Sequence, residues 1–276
     1  MAIASKNRLG EIIKYEWRGE NKTGTTKGHV KYWENLEEEI GLKLPESDAC
    51  KIFYPDKGYI INYNSYRCTT NKYLGPSEVN VYTDGSKTES GVGAGFAIYQ
   101  GGKLLREGCD TVNKEGTVFQ AELVAIDLAS QALVEMSKEK GYKFIKMFSD
   151  SMSSLQALDS AKITSKTVLK TKRSLNRLAS VVKSVRVNWI KAHVGHEGNE
   201  RADHLAKEAS TMIHLSEVPR AATINKQLIK QKFYDLWTKS WEIEPTCRQT
   251  KQFFPKPDPL VSKKIINLHE ASYHYC

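Results

Sequence analysis

The sequence predicts an α/β fold in which a mixed sheet carries helices packed against it. Three observations predict it. Alternating apolar residues mark strands from Val79 onward, and apolar residues at helical spacing mark helices between them. The two patterns follow one another as three hairpin-type strands, helix, strand, helices, strand, helix, an order that suits neither an all-β nor an all-α plan. The 276 residues, 40% hydrophobic and 26% charged, have room for one domain with long flanks or for two small ones.

Residues 1–76 read as an N-terminal extension of uncertain fold. Tyr32, Leu36, Ile40 and Leu42 give a poor apolar stripe to a helix over 27–44. Short strands and turns broken by Pro45 and Pro55 follow, then a linker at Thr69–Ser77. From there the signal strengthens. Val79, Val81 and Thr83 alternate with Asn80, Tyr82 and Asp84, the period of a half-buried strand that stops at Gly85-Ser86. Val92, Ala94, Phe96 and Ile98 mark a second strand, Gly101-Gly102 a hairpin turn, and Lys103–Asp110 a third strand. Residues 117–140 form a helix whose buried face is Glu122, Ala125, Ile126, Ala129, Leu133 and Met136. A fourth strand runs over 142–150 and ends on Asp150. A short helix follows over 151–160, capped by Ser151 or Ser153. A lysine-rich helix over 163–182 leads to a fifth strand over 185–193 and a loop from Gly195 to Gly198. The helix over 199–210 has Ala202, Leu205, Ala206 and Ala209 on its inner side. Past Pro219 comes an amphipathic helix (Ile224, Leu228, Phe233, Leu236, Trp237, Trp241), and then an extended basic tail.

The formal charge of +9 and pI near 9.1 favour a polyanionic partner, nucleic acid ahead of a membrane surface. No apolar run has the length of a membrane span, and the first residues lack a signal-peptide core. Five scattered cysteines without a CxxC pair suggest neither a disulfide framework nor a zinc site, so an intracellular, reducing setting is expected, nucleus or cytoplasm.

Four acids sit where folding alone would not choose them. Asp84 and Asp150 end strands, Glu122 interrupts an apolar helix stripe, and Asp203 lies between Ala202 and Ala206. Taken singly, each has a bland explanation: a turn residue, a salt-bridge partner, or a charge on a helix dipole. Together they converge on the rim where strands end and helices begin. Clustered carboxylates repel one another unless cations join them. Hard cations such as Mg²⁺ take oxygen ligands, and two ions about 4 Å apart can promote phosphodiester cleavage.

YTDGS at 82–86, QAEL at 120–123, FSDSMSSLQAL at 148–158 and WIKAHVGHEGNERADHLAKEA at 189–209 resemble type 1 ribonuclease H. The resemblance covers about residues 78–213, so a ribonuclease H domain is expected over 77–214 and a C-terminal helix and basic tail over 215–276. It implies a ribonuclease H-like mixed five-stranded sheet with helices on both faces, plus terminal extensions. It also implies an endonuclease that cuts the RNA strand of RNA–DNA hybrids with two Mg²⁺ ions, Mn²⁺ being able to substitute. Its metal carboxylates fall on Asp84, Glu122, Asp150 and Asp203, and its mobile histidine on His193, with His196 three residues on as the second choice. Gly85, Ser86, Gln120 and Asn199 are the candidate substrate contacts; a glycine-serine pair lets backbone approach the sugar edge that bears the 2′-hydroxyl. Asn199 is equally suited to capping the last helix. Ala192 stands where the family usually has Gly, and no counterpart of the basic protrusion of some bacterial members is present; Lys162, Lys166, Lys170, Lys172, Arg173 and Arg177 could replace it or could form a solvated helix face. TVFQAELVAI at 117–126, VLKTKRSLNRL at 168–178 and LWTKSWEIEPTCRQTKQFFPK at 236–256 resemble the ribonuclease H region of arthropod non-LTR retrotransposons, a resemblance that implies a reverse transcriptase, in cis or in trans, as a partner. A monomer is expected. The competing readings are a catalytically idle nucleic-acid-binding fragment of a retroelement polyprotein and a purely structural domain; the intact acidic quartet argues against both.

Overall fold

The computed structural model describes residues 41, 47–64, 78–213, 218–245 and 248–258. The helix expected over 27–44 (Gly41 apart) and the linker at 69–77 lie outside them. The chain forms two compact units, Pro45–Ile224 and, separately, Met1–Leu44 with Asn225–Cys276.

The first unit is built on a six-stranded mixed sheet. In chain order its elements are β1 (Ala49–Phe53), β2 (Ile60–Asn62), β3 (Glu78–Lys87), β4 (Val92–Gln100), β5 (Lys103–Val112), α1 (Val118–Lys140), β6 (Phe144–Ser149), α2 (Met152–Asp159), β7 (Ile163–Ser165), α3 (Lys166–Val181), β8 (Ser184–Trp189) and α4 (Glu197–Ser210). The sheet order is β2-β8-β6-β3-β4-β5: an antiparallel meander through β3, β4 and β5, continued in parallel by β6, β8 and β2. Five strands were expected, and the sixth is β2. Three residues are too few for a periodic signal, and β2 is held by its parallel pairing with β8 and by the Asn62 amide donating to Asn188 Oδ1 at 2.9 Å. β1 and β7 form a separate two-stranded antiparallel sheet, so Ile163–Ser165 is strand and α3 starts only at Lys166.

β3 is buried on both faces from Val79 to Gly85, where alternation alone suggested one. Val79 and Val81 join Leu123, Ile126, Ile145 and Met147 under α1. On the opposite face Tyr82 stacks on Phe148, with ring centroids 5.1 Å apart, beneath Ala202 of α4. The polar half of the alternation therefore faces a helix instead of water. α1 begins in a reciprocal capping box between Thr117 and Gln120, and its expected inner face is buried throughout. α4 sits so close to β4 that a Cβ on Gly95 would lie 2.5 Å from the Ala202 carbonyl oxygen. Glycine there is what lets α4 lie flat beside the rim.

The N-terminal segment is stitched to this unit. Asp48 caps α3, the Tyr59 hydroxyl donates to Leu158 O at 2.8 Å, and Lys57 pairs with Asp159. Lys172, read as part of a lysine-rich outer side, is 1% exposed and donates to Ser160 O at 2.9 Å. The unit also runs past residue 214. Val218 is buried against Val92, Val112 and Val124, the Asn113 and Gln120 amides donate to Val218 O and Pro219 O, and Arg220 pairs with Glu115.

In the second unit α5 (Ala222–Ile243) matches the expected amphipathic helix over nearly its whole length. The tail, expected to be extended, contains a further helix, α6 (Arg248–Phe253). Lys251 donates to Glu242 O and Glu244 O at the end of α5, and Trp241 Nε1 donates to Phe254 O, so the tail folds back along the helix. Among the described residues no helix is long and apolar enough to cross a membrane.

Candidate active site

The C-terminal ends of β3 and β6 meet the start of α1 at one rim of the sheet. Asp84 does not end its strand as expected: pairing with β4 carries β3 on to Lys87, and Asp84 lies just past the last residue paired with β6, the parallel neighbour whose end Asp150 follows. Glu122 reaches them from α1 because Gly85 lets the helix come in: a Cβ on Gly85 would lie 2.3 Å from Glu122 N. Asp84, Glu122 and Asp150 each offer an oxygen, and the three oxygens lie within 4.8 Å of one another. Asp84 and Glu122 are buried, and Glu122 Oε2 has no hydrogen-bond partner.

The electrostatics follow from that crowding. Burial first, then the charges of Asp150 and Asp203, push Asp84 up to about 7, with Lys207 opposing. Glu122 is raised well above the ordinary carboxylate range by burial and by Asp84 and Asp150, although the Gly85 backbone N–H favours its ionised form. Asp150 is raised by burial against the opposing pull of Asn199, a backbone N–H and His193. Three acids that resist ionisation together, one with an orphaned oxygen, fit a divalent cation with oxygen ligands. Such an ion would supply the missing positive charge.

Asp203 of α4 is near enough for its charge to act on Asp84 and Asp150, yet its own Oδ2 is taken by Lys207 Nζ at 2.6 Å, one helical turn on. Asn199 does not cap α4. His196 occupies the N-cap without a side-chain bond, while the Asn199 amide, 4% exposed, donates to Asp150 Oδ2 at 3.3 Å. Trp189 Nε1 donates to Asp150 O at 3.0 Å and fixes the same residue from β8. Sequence reasoning missed Trp189, because a tryptophan at a strand end reads as core. His193 is exposed on the β8–α4 loop and, among the described residues, is the only non-glycine at positive φ (53°). Ser86 is half-buried beside Gly85 at the rim. Gln120 is 1% exposed; its amide is committed to the Thr117 capping box and to Pro219 O.

Residues 76–211 match the family model described as RNase H. The fold and this match together define the class: the first unit carries an RNase H family domain. The domain at residues 76–211 is thus a ribonuclease H, a hydrolase. Solved structures similar to it include RNase H1 from the halophilic archaeon Halobacterium salinarum NRC-1, with 26% identity over 48% of this chain and 96% of that one and a TM-score of 0.39. Another is the N-terminal RNase H domain of a Mycobacterium tuberculosis protein, solved as a fusion with maltose-binding protein (20% identity, 48% and 93% coverage, TM-score 0.40). No curated protein matches the chain.

Proposed function

We propose that this ribonuclease H cuts the RNA strand of RNA–DNA hybrids internally, with Mg²⁺, or Mn²⁺ in its place, held at the rim. The observation that carries the reading is the convergence of Asp84, Glu122 and Asp150 from three elements with Glu122 Oε2 unpartnered. Asp203, on release from Lys207, is the fourth carboxylate. When bound, a pair of divalent ions supplies the positive charge that makes water nucleophilic and eases departure of the leaving oxygen. The chain does the positioning. Asn199 and Trp189 hold Asp150, and Gly85 holds Glu122 beside Asp84. His193, next to Asp150 on an exposed loop, donates a proton to the departing oxygen or assists product release. Gly85 and Ser86 offer a low backbone edge to the 2′-hydroxyl side of the substrate, and Gln120 acts there through the helix start it anchors.

Retroelement origin and a reverse-transcriptase partner, with a nuclear or cytoplasmic place of action, go with this reading as proposals resting on the sequence resemblance. The deciding assay uses the full chain and end-labelled RNA annealed to DNA. With Mg²⁺ the RNA strand should be cut at internal positions, while EDTA and the Asp150→Asn variant abolish cutting and free RNA stays intact. Cleavage that survives EDTA or Asp150→Asn, or none by the wild type, sinks the reading.

A further inference from the structure

α3 carries Lys166, Lys170, Arg173 and Arg177 at steps of four, three and four residues, which places them along one side of the helix. Together with Leu169 and Ser174 they line a groove of about 340 Å³. β1 lies beside this helix face: the Arg173 guanidinium sits over the Phe53 ring, 5.9 Å from its centroid, and the charges of Lys166 and Arg173 act on the Cys50 thiol. Phe53 is 38% exposed and lies outside the segment that matches the RNase H family, so the groove on this domain helix borders a strand of the N-terminal extension.

Topology fixes where this groove leads. β8 runs parallel to β6, which ends at Asp150, and α3 finishes at Val181 just before β8 begins. The C-terminal end of α3 is therefore at the sheet edge remote from the acids, and its Lys166 end is at the acidic rim. From Lys166 to Arg177 the stripe descends the flank for about 16 Å. That is the length of roughly five phosphates along one stacked strand.

We propose that this groove binds a single strand of nucleic acid that continues from a hybrid held at the rim. Lys166, Lys170, Arg173 and Arg177 follow the phosphates, and an unpaired base stacks on Phe53. Lys170 already pairs with buried Asp127 at 3.1 Å, so the arginines carry most of the attraction. An aromatic face beside a line of cations is what an unpaired strand can use; in a duplex the base faces are shielded by their neighbours. Only the origin of the strand rests on the hybrid-cleaving reading; the groove itself does not.

Two measurements test this on the full chain. In the first, binding of a fluorescent oligodeoxythymidylate is followed by anisotropy in EDTA as salt is raised. The wild type should bind, and Arg173→Gln/Arg177→Gln should flatten the slope of log affinity against log salt by about 1.4, two phosphate contacts on a single strand. Phe53→Ala should weaken binding about 5- to 100-fold with the slope unchanged. Unaltered binding by both variants overturns the proposal. So does an equal loss on blunt duplex, which would make this a duplex surface, and so does loss confined to phosphatidylserine vesicles, which would make it a membrane surface. In the second, the wild type should cleave a hybrid with a single-stranded extension at lower enzyme concentration than a blunt one. The arginine variant should lose that advantage and cut the blunt hybrid normally. An advantage the variant keeps counts against the groove. A wild type that cuts neither hybrid defeats the hydrolase reading, and the anisotropy result still judges the groove.

Discussion

Asp48 and Asp84 are equally buried, at 7% and 8% exposure, and their surroundings are opposites. Asp48 Oδ1 accepts from Thr167 N at 2.9 Å and from Thr167 Oγ1 at 2.5 Å, and its Oδ2 accepts from Ser165 Oγ at 2.5 Å. It sits at the N-terminus of α3, where the helix dipole favours an anion. Asp84 instead faces Glu122, Asp150 and Asp203, with Lys207 as a distant counterweight. The same burial thus serves two ends. A carboxylate surrounded by donors ties the N-terminal segment to the domain, whereas carboxylates surrounded by one another are tolerable only as a place for cations.

The comparison breaks most sharply under paired substitution. Asp84→Asn should reduce hybrid cleavage by about a thousandfold, the upper end for removing one group that stabilises transition-state charge. Asp48→Ala should leave the cleavage rate within about twofold and lower the melting temperature on the order of 5–10 °C, since charge-assisted bonds are lost from a buried position. Equal losses of activity in the two variants would erase the distinction. His193→Ala sharpens it next: losing an exposed imidazole beside the acids should cost about 100-fold in turnover without abolishing it, and His196→Ala, at the α4 N-cap, much less. The reverse ranking, in single-turnover assays, would place the loop's function on His196. Asn199→Ala is the mildest test. Losing one orienting bond to Asp150 should weaken Mg²⁺ activation about tenfold, read as a shift of the metal titration, with maximal rate largely kept.

The two regions also differ in how far the sequence reveals them. Asp84, Glu122 and Asp150 were legible because each breaks a local pattern, a strand end or an apolar stripe, that can be seen without its partners. Asp48 breaks none. Its donors lie 117 and 119 residues away, and nothing near it in the chain announces a cap. The same limit hid β2, whose partner is β8, and Lys172, whose helical position resembles its solvated neighbours until Ser160 O is seen beneath it. Asn199 carried a local signal, an asparagine beside a helix start, but the backbone places His196 at the cap and leaves Asn199 to Asp150. The tail, expected to be extended, holds α6, and its prolines Pro255 and Pro257 follow that helix instead of interrupting it.

The central claim is that the acids at the rim weaken the metal-free fold and serve a cation. Its most direct measurement is the melting temperature of the wild type and Asp84→Asn in EDTA across pH, then with Mg²⁺. A folded-state value of about 7 against an ordinary 3.8 means that protonated Asp84 is favoured by folding. Its contribution is complete at low pH and is lost as pH rises from about 4 through 7. The account predicts that Asp84→Asn melts increasingly above the wild type across that window and stays above it at pH 8, and that Mg²⁺ raises the wild type far more than the variant. A variant that melts below the wild type at pH 8 in EDTA would contradict it, for Asp84 would then be holding the fold together as Asp48 does.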